Sequence, residues 1–316
     1  MLHSKKRKVN GLNTRELGHS GIFVSELGLG CMSIGTEEHR AETILKTALD
    51  EGITYFDTAD LYDFGVNEKL VGKTLKNVRD KVVIATKAGN RWTDSKDSWT
   101  WDASKAYIKE AAKQSLKRLG TEYIDLYQLH GGTLDDPIDE TIEAFEELKA
   151  EGFIRAYGIS SIRPTVIDQY VKKSSISSVM VQYSMLDRRP ENQALPILSE
   201  NGVSVVARGP IAFGLLSAKW REKLAKASKK GLNWYDESEL SAVLTKLEKN
   251  FAPDRTLNGL AFRYVLHHSA AVVAGASSIE QLKENARAIR ETTLTEEEYK
   301  WIQDTVKTAD YDAHRL

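Results

Sequence analysis

The chain repeats one pattern along most of its length: a short apolar run, a polar turn, then a longer segment whose apolar residues fall at helical spacing. Strands are predicted at Leu27–Cys31, Tyr55–Asp57, Val82–Thr86, Ile124–Leu129, Ile154–Ile159, Ser178–Gln182, Val203–Ala207 and Val272–Ala274. Helical patterns alternate with them at Ala41–Glu51, Asn67–Lys76, Ser104–Leu119, Ile138–Glu151, Thr165–Lys172, Ala194–Asn201, Leu257–His267 and Ile279–Arg290. Within the fourth of these, Ile138, Ile142, Phe145 and Leu148 share one face, with acidic residues between them. Gly52, Gly120, Gly152 and Gly202 stand where a helix would close on a left-handed cap before the next strand. Strands apolar on both faces belong to a parallel sheet covered by helices. Eight such units predict an α/β chain closed into a (β/α)8 barrel. Ahead of them, Thr14–Leu17 and Ile22–Ser25 flank Gly18-His19-Ser20-Gly21. This is a hairpin pattern, placed to close the bottom of the barrel.

The remaining organisation follows from what interrupts that rhythm. Residues 1–13 carry Lys5-Lys6-Arg7-Lys8 with no apolar period and are expected to be a solvated, disordered basic extension. Residues 14–316 are then a single barrel domain. Gly89 to Thr100, followed by Trp101, and Arg208 to Ala252 are longer than ordinary connections, and ordered loops of that length usually bind or cover something. Both follow strands, on the side where a barrel keeps its active site.

Bulk properties exclude several classes of function. A formal net charge of −1 over 316 residues gives no general attraction to nucleic acid or anionic lipid, and no recognition helix or basic stripe follows the N-terminal cluster. No apolar run approaches the roughly 18 residues of a membrane span. The single cysteine, Cys31, forms no intrachain disulfide, which with the absence of a signal peptide points to the cytoplasm. Nothing in the sequence sets an oligomeric state.

Polar residues of complementary chemistry stand at consecutive strand ends. Asp57 closes the second strand and Tyr62 follows on its loop; Lys87 ends the third strand and His130 the fourth. Singly, each has an ordinary structural explanation: a helix cap, loop packing, a rim lysine, a core histidine. Together at one barrel mouth they suit proton delivery to a carbonyl oxygen. A free tyrosine titrates near pH 10, too high for an efficient acid at neutral pH. A lysine ammonium roughly 4 Å away stabilises the phenolate by about 4 kcal/mol at an effective dielectric near 20, or about three pKa units. Asp57 would hold Lys87 charged, and His130 would bond the same carbonyl oxygen. No thiol, serine nucleophile or metal-ligand cluster accompanies the set, so the attack on carbon falls to a nicotinamide hydride.

These residues resemble the aldo-keto reductase family, whose Asp-Thr-Ala-x-x-Tyr motif stands here as Asp57-Thr58-Ala59-Asp60-Leu61-Tyr62. The resemblance runs from about Arg15 onward. It implies NAD(P)H-dependent reduction of a small carbonyl substrate, with Asp57, Tyr62, Lys87 and His130 as the catalytic set. It also implies that Ser160, Ser161 and Gln182 hold the nicotinamide carboxamide, the second serine standing where asparagine is usual. Gly209, Pro210, Ile211 and Gly214 with Lys219 resemble the segment that wraps the pyrophosphate. Gly275, Ser277, Gln281, Glu284 and Asn285 resemble the adenosine-phosphate end, at a helix N-terminus suited to an anion.

Two departures bear on the cofactor. Arg208 stands where many relatives carry an aromatic residue stacked on the nicotinamide; a guanidinium can stack on a planar ring, but a cation repels the oxidised form, leaving the redox preference open. Ser277 and Gln281 are neutral where some relatives hold the 2′-phosphate with Arg or Lys. NADPH is the expected donor, Lys219 assisting, and NADH the alternative. Trp92, with Trp99 and Trp101, is a candidate wall for an aromatic or apolar substrate or else packing for its loop. Two other readings compete. Gly28-Leu29-Gly30 and Gly35 suggest a Rossmann dehydrogenase, but the spacing is not that fingerprint. A cofactor-binding sensor or regulatory subunit, as among channel-associated relatives, would keep the same residues without turnover.

Overall fold

The computed structural model describes residues 7–9, 11–226, 232, 234–311 and 316. Eight parallel strands close into a barrel: Leu27–Gly30, Tyr55–Asp57, Val83–Ala88, Ile124–Leu129, Ile154–Ser160, Ser178–Gln182, Ser204–Arg208 and Ala271–Gly275. Each pairs with its neighbours in sequence, and the last pairs with the first through Val272 beside Leu27 and Gly275 beside Gly30. The helices between them are Glu38–Asp50, Val66–Leu75, Lys105–Leu119, Ile138–Ala150, Pro164–Lys173, Ala194–Glu200, Leu257–Val265 and Ile279–Ala288. The predicted elements thus agree with the observed ones to within a few residues at each end.

Strand side chains alternate between faces, and this alternation builds the site. Tyr55, Val83, Ala85, Leu126, Ala156, Met180, Val206, Ala271 and Val273 form one buried cluster, while Phe56, Ile84, Tyr127, Ile159 and Val272 belong to the larger layer beneath the helices. Stepping up each inward-facing row by twos leads to Asp57, Lys87, Gln128, Ser160, Gln182, Arg208 and Gly275. Apolar rows that turn polar at one end make a packed barrel with a reactive rim.

The opposite end is closed by Leu12–Glu16 and Phe23–Ser25, paired antiparallel with Thr14 beside Ser25. Leu17, Ile22 and Val24 enter the inner cluster, so the hairpin plugs the barrel base. The close approach is backbone to backbone: Gly18 has φ +54°, and a Cβ there would lie 2.6 Å from the Ser177 carbonyl oxygen.

Several segments depart from expectation. Arg7–Val9 is a strand paired with Leu12–Thr14, so order begins inside the segment expected to be a disordered extension; Lys5 and Lys6 lie outside the described residues. Backbone pairing there needs no apolar period, so periodicity carries no sign of it. The long segment after the seventh strand holds two helices, Trp220–Lys226 and Glu237–Phe251. The second starts at a capping box formed by Asp236 and Glu239 and buries Leu240, Leu244, Leu247 and Phe251. A further helix, Glu296–Thr305, precedes the C-terminal tail, whose His314 and Arg315 lie outside the described residues. Between the third strand and its helix, Asn90–Trp92 pairs antiparallel with Trp99–Trp101 as a short ribbon. Among the described residues no helix is long and apolar enough to cross a membrane.

Candidate active site

Backbone bonding carries the loop after Asp57 across the third strand: Thr58 N donates to Ala85 O at 2.8 Å and Asp60 N to Lys87 O at 3.1 Å. Thr58 Oγ1 donates to Asn67 Oδ1 at 2.7 Å, and Asn67 Nδ2 donates to Cys31 O at 2.8 Å, fixing that loop to the first turn. Tyr62 is thereby held over Lys87. The Lys87 ammonium donates to Asp57 Oδ2 at 2.7 Å, to the Thr58 carbonyl at 2.7 Å and toward Tyr62 Oη at 3.4 Å. Three acceptors match the three protons of an ammonium.

Lys87 is 1% exposed and Asp57 3%. Burial opposes the charge on Lys87, but Asp57 and Tyr62 outweigh it and the amine titrates above its ordinary value. Burial pushes the Asp57 carboxyl up, against the pull of Lys87 and of Gln128, whose Nε2 lies 3.5 Å from Asp57 Oδ1. With an ammonium at 2.7 Å, the state that satisfies both groups is the ion pair.

His130 follows the fourth strand, its N–H donating to Ala88 O at 2.7 Å. Its ring stands edge-on to Tyr62, 5.9 Å between centroids at 83°. Burial first, then the charges of Lys87 and Arg208, pull its pKa down to about 3, so the imidazole is neutral at physiological pH. Among the described residues its Nδ1 is buried without a protein partner.

One cleft of about 840 Å³ joins these groups to most of the residues expected to hold a cofactor. Asp57, Tyr62, Lys87 and His130 line it together with Ser160, Ser161, Arg208, Gly209, Ile211, Gly214, Lys219, Gly275, Gln281, Glu284 and Asn285. Gly209, at φ +67°, turns the chain away from the seventh strand and along the cleft wall. Gln182, Pro210 and Ser277 are not among the lining residues. Pro210 is buried. Gln182 is held between Arg208, which donates to its Oε1 at 3.1 Å, and Asp187, which accepts from its Nε2 at 2.9 Å. Ser277 donates through N and Oγ to Gln281 Oε1 at 2.8 and 2.9 Å, tying down the last helix's N-terminal loop.

Trp92 also stands apart from the cleft: its ring meets Phe64 edge-on at 6.3 Å and lies 5.2 Å from the Arg118 guanidinium. Trp99, its cross-strand partner, lines the cleft instead. The ribbon is anchored by Trp101, whose Nε1 donates to Asp136 Oδ1 at 2.7 Å. A Cβ at Gly89 would come within 2.7 Å of the Trp101 ring.

Other contributors escaped sequence reasoning. Met32, Asn90, Arg163, Lys223 and Asn258 line the cleft, and Arg40 of the first helix donates to the Ser277 carbonyl at 2.7 Å. Asn90 and Arg163 follow strands, so strand-end position was a usable signal. Arg40 is 237 residues from its partner, and no spacing rule reaches that far.

A barrel whose rim couples a tyrosine, an ion-paired lysine and a neutral histidine to a cleft of mixed polar and apolar lining defines an NAD(P)H-dependent oxidoreductase. The chain belongs to the aldo/keto reductase family, whose model matches residues 26–307. It is 54% identical over 307 residues to an uncharacterized oxidoreductase, YqkF, of Bacillus subtilis (strain 168), covering 96% of this chain and all of that one. It is 31% identical over 301 residues to an NADH-specific methylglyoxal reductase of Escherichia coli (strain K12), covering 86% and 92%. Among solved structures it is similar to the holo form of aldo-keto reductase AKR11C1 from Bacillus halodurans, with a TM-score of 0.88, 54% identity and coverage of 99% of this chain and all of that one. The cleft fits the family's cofactor on its own terms. It falls within the roughly 300–1,000 Å³ of ligand sites, and its wall carries hydroxyls and a guanidinium along with Asp57, Tyr62, Lys87 and His130, and also Lys219, Lys223 and Gln281.

Proposed function

We propose that this protein reduces aldehydes and ketones to alcohols, with NADPH as the preferred hydride donor. The observation that carries this reading is the contact of Tyr62 Oη with Lys87 Nζ at 3.4 Å, Lys87 being paired with Asp57 at 2.7 Å. Tyr62 is the general acid: its Oη proton passes to the carbonyl oxygen, and Lys87 stabilises the phenolate left behind. Asp57 and the Thr58 carbonyl keep the lysine charged and aimed. His130, neutral, directs an Nε2–H at the carbonyl oxygen and leaves Nδ1 as a buried lone pair. A bound reduced nicotinamide would supply the hydride for the carbonyl carbon.

Ser160, Ser161 and Gln182 would hold the carboxamide end. Gly209, Pro210, Ile211, Gly214 and Lys219 would hold the pyrophosphate, and Gly275, Ser277, Gln281, Glu284 and Asn285 the adenosine end. NADPH is favoured because Lys219 and Lys223 line the cleft and add positive charge where a 2′-phosphate would bring more negative charge. That a relative is an NADH-specific methylglyoxal reductase makes the preference a question for titration. Cys31, the single cysteine, is buried, and we assign the activity to the cytoplasm.

The test is NADPH consumption with 4-nitrobenzaldehyde, in the wild type and in Tyr62→Phe. Turnover should fall by about 10²–10⁴ in the variant, with NADPH affinity within about twofold, because the hydroxyl acts mainly in the transition state. Equal losses of both would make Tyr62 a structural residue. NADPH binding without turnover by the wild type would return the sensor reading.

A further inference from the structure

Arg208 adds a positive charge beside the Asp57–Lys87 ion pair of the reaction pocket. It ends the seventh strand in register with Gln182 on the sixth and lines the cleft beside Tyr62 and His130. The hydrogen bond it makes, to Gln182 Oε1 at 3.1 Å, goes to a neutral amide. Both nearby carboxylates act on it, but each already holds another cation. Asp57 is paired with Lys87 at 2.7 Å, and Asp187 is gripped by Arg189, whose Nε and Nη2 each lie 2.7 Å from its two oxygens. His130 is neutral, so Asp57, Lys87 and Arg208 sum to one net positive charge.

A carbonyl oxygen seated between Tyr62 and His130 places its carbon in this pocket, and the hydride donor must lie against that carbon. The nicotinamide ring therefore sits within the field of Arg208. In the reduced cofactor that ring is neutral; in the oxidised cofactor it carries a full positive charge. Charges in a partly buried pocket interact more strongly than in bulk water.

We propose that Arg208 makes the pocket bind the reduced cofactor more tightly than the oxidised one, biasing the enzyme toward carbonyl reduction and toward release of spent cofactor. This rests on the reading of the site as an NADPH-dependent reductase. The same net charge favours the negative charge that develops on the carbonyl oxygen. Arg208 thus discriminates between cofactor redox states and, in this role, transfers no proton.

The experiment is a set of tryptophan-fluorescence titrations of the intact protein with NADPH, NADP⁺ and 2′,5′-ADP, in the wild type, Arg208→Gln and Arg208→Lys, beside the turnover assay. The wild type is expected to bind NADPH at least about tenfold more tightly than NADP⁺, a ratio set by about 1.4 kcal/mol. Arg208→Gln should bring the ratio near one, Arg208→Lys should retain most of it, and 2′,5′-ADP, which lacks the nicotinamide, should bind all three alike. An unchanged ratio in Arg208→Gln overturns the proposal. So does a ratio lost equally in both variants, or a weakening of 2′,5′-ADP that matches that of NADPH. A wild type that turns over but binds both redox forms equally refutes this inference alone; one that binds neither form and shows no turnover refutes the reductase reading with it.

Discussion

Lys87 Nζ lies 2.7 Å from Asp57 Oδ2 at the ends of neighbouring strands, and both side chains are buried. Removing the ammonium strands a carboxylate, a change that typically destabilises by about 3–5 kcal/mol. Lys87→Met should therefore lower both turnover, by at least about 100-fold, and the melting temperature. Adding Asp57→Asn should recover much of the stability and none of the rate. Rate recovery in the double variant would mean that the loss came from misfolding, not from the missing ammonium.

Asp60 sits within the same motif but is a liability. Its carboxyl is 1% exposed with Oδ1 unpartnered among the described residues, and burial, followed by the nearby Glu68, pushes its pKa up to about 8. The unfolded chain releases this proton near pH 4, while the folded chain keeps it to about pH 8. Its contribution to stability is thus full below about pH 4 and is lost as pH rises toward 8. Asp60→Asn should match the wild type in urea unfolding at pH 4 and exceed it by about 2–4 kcal/mol at pH 8. The same difference at both pH values would remove this explanation.

Lys219 lines the cleft near Gln281 and Glu284. Lys219→Ala should weaken NADPH by about three- to tenfold and NADH by less than about twofold, and the NADPH effect should shrink in salt as the charge is screened. Affinity losses that are equal for the two nucleotides would direct attention to Lys223.

Of the paired tryptophans, only Trp99 faces the cleft. Trp99→Ala should raise KM for 4-nitrobenzaldehyde about five- to tenfold, the worth of about 1–1.5 kcal/mol of aromatic contact. Trp92→Ala should leave KM alone and lower the melting temperature through loss of its Phe64 and Arg118 contacts. A raised KM in Trp92→Ala would restore it to the substrate wall.

The barrel and the meeting of Asp57, Tyr62, Lys87 and His130 at one rim were legible because their signals are local. A strand buried on both faces is a short apolar run, and Lys87 continues the inward row of Val83 and Ala85 just as Asp57 continues that of Tyr55. The Glu237–Phe251 helix went unread inside a long connection, although Asp236 and Glu239 ahead of Leu240, Leu244 and Leu247 carry its signal. The contact of Arg40 with Ser277 and the choice between Trp92 and Trp99 were not legible. Both depend on how elements tilt in space, and neither composition nor periodicity carries that information.

The ribbon that carries Trp99 is pinned through Trp101, bonded to Asp136 and laid over Gly89, while residues 93–98 at its tip are tied mainly to one another, with Thr93, Ser95 and Ser98 bonded to Asp97. The tip can be rewritten in a lineage without disturbing the strand ends that hold Asp57, Lys87 and His130. On the proposed reading, choice of substrate and chemistry stand on separate pieces of chain, so a change in the ribbon would alter what is reduced and leave how it is reduced.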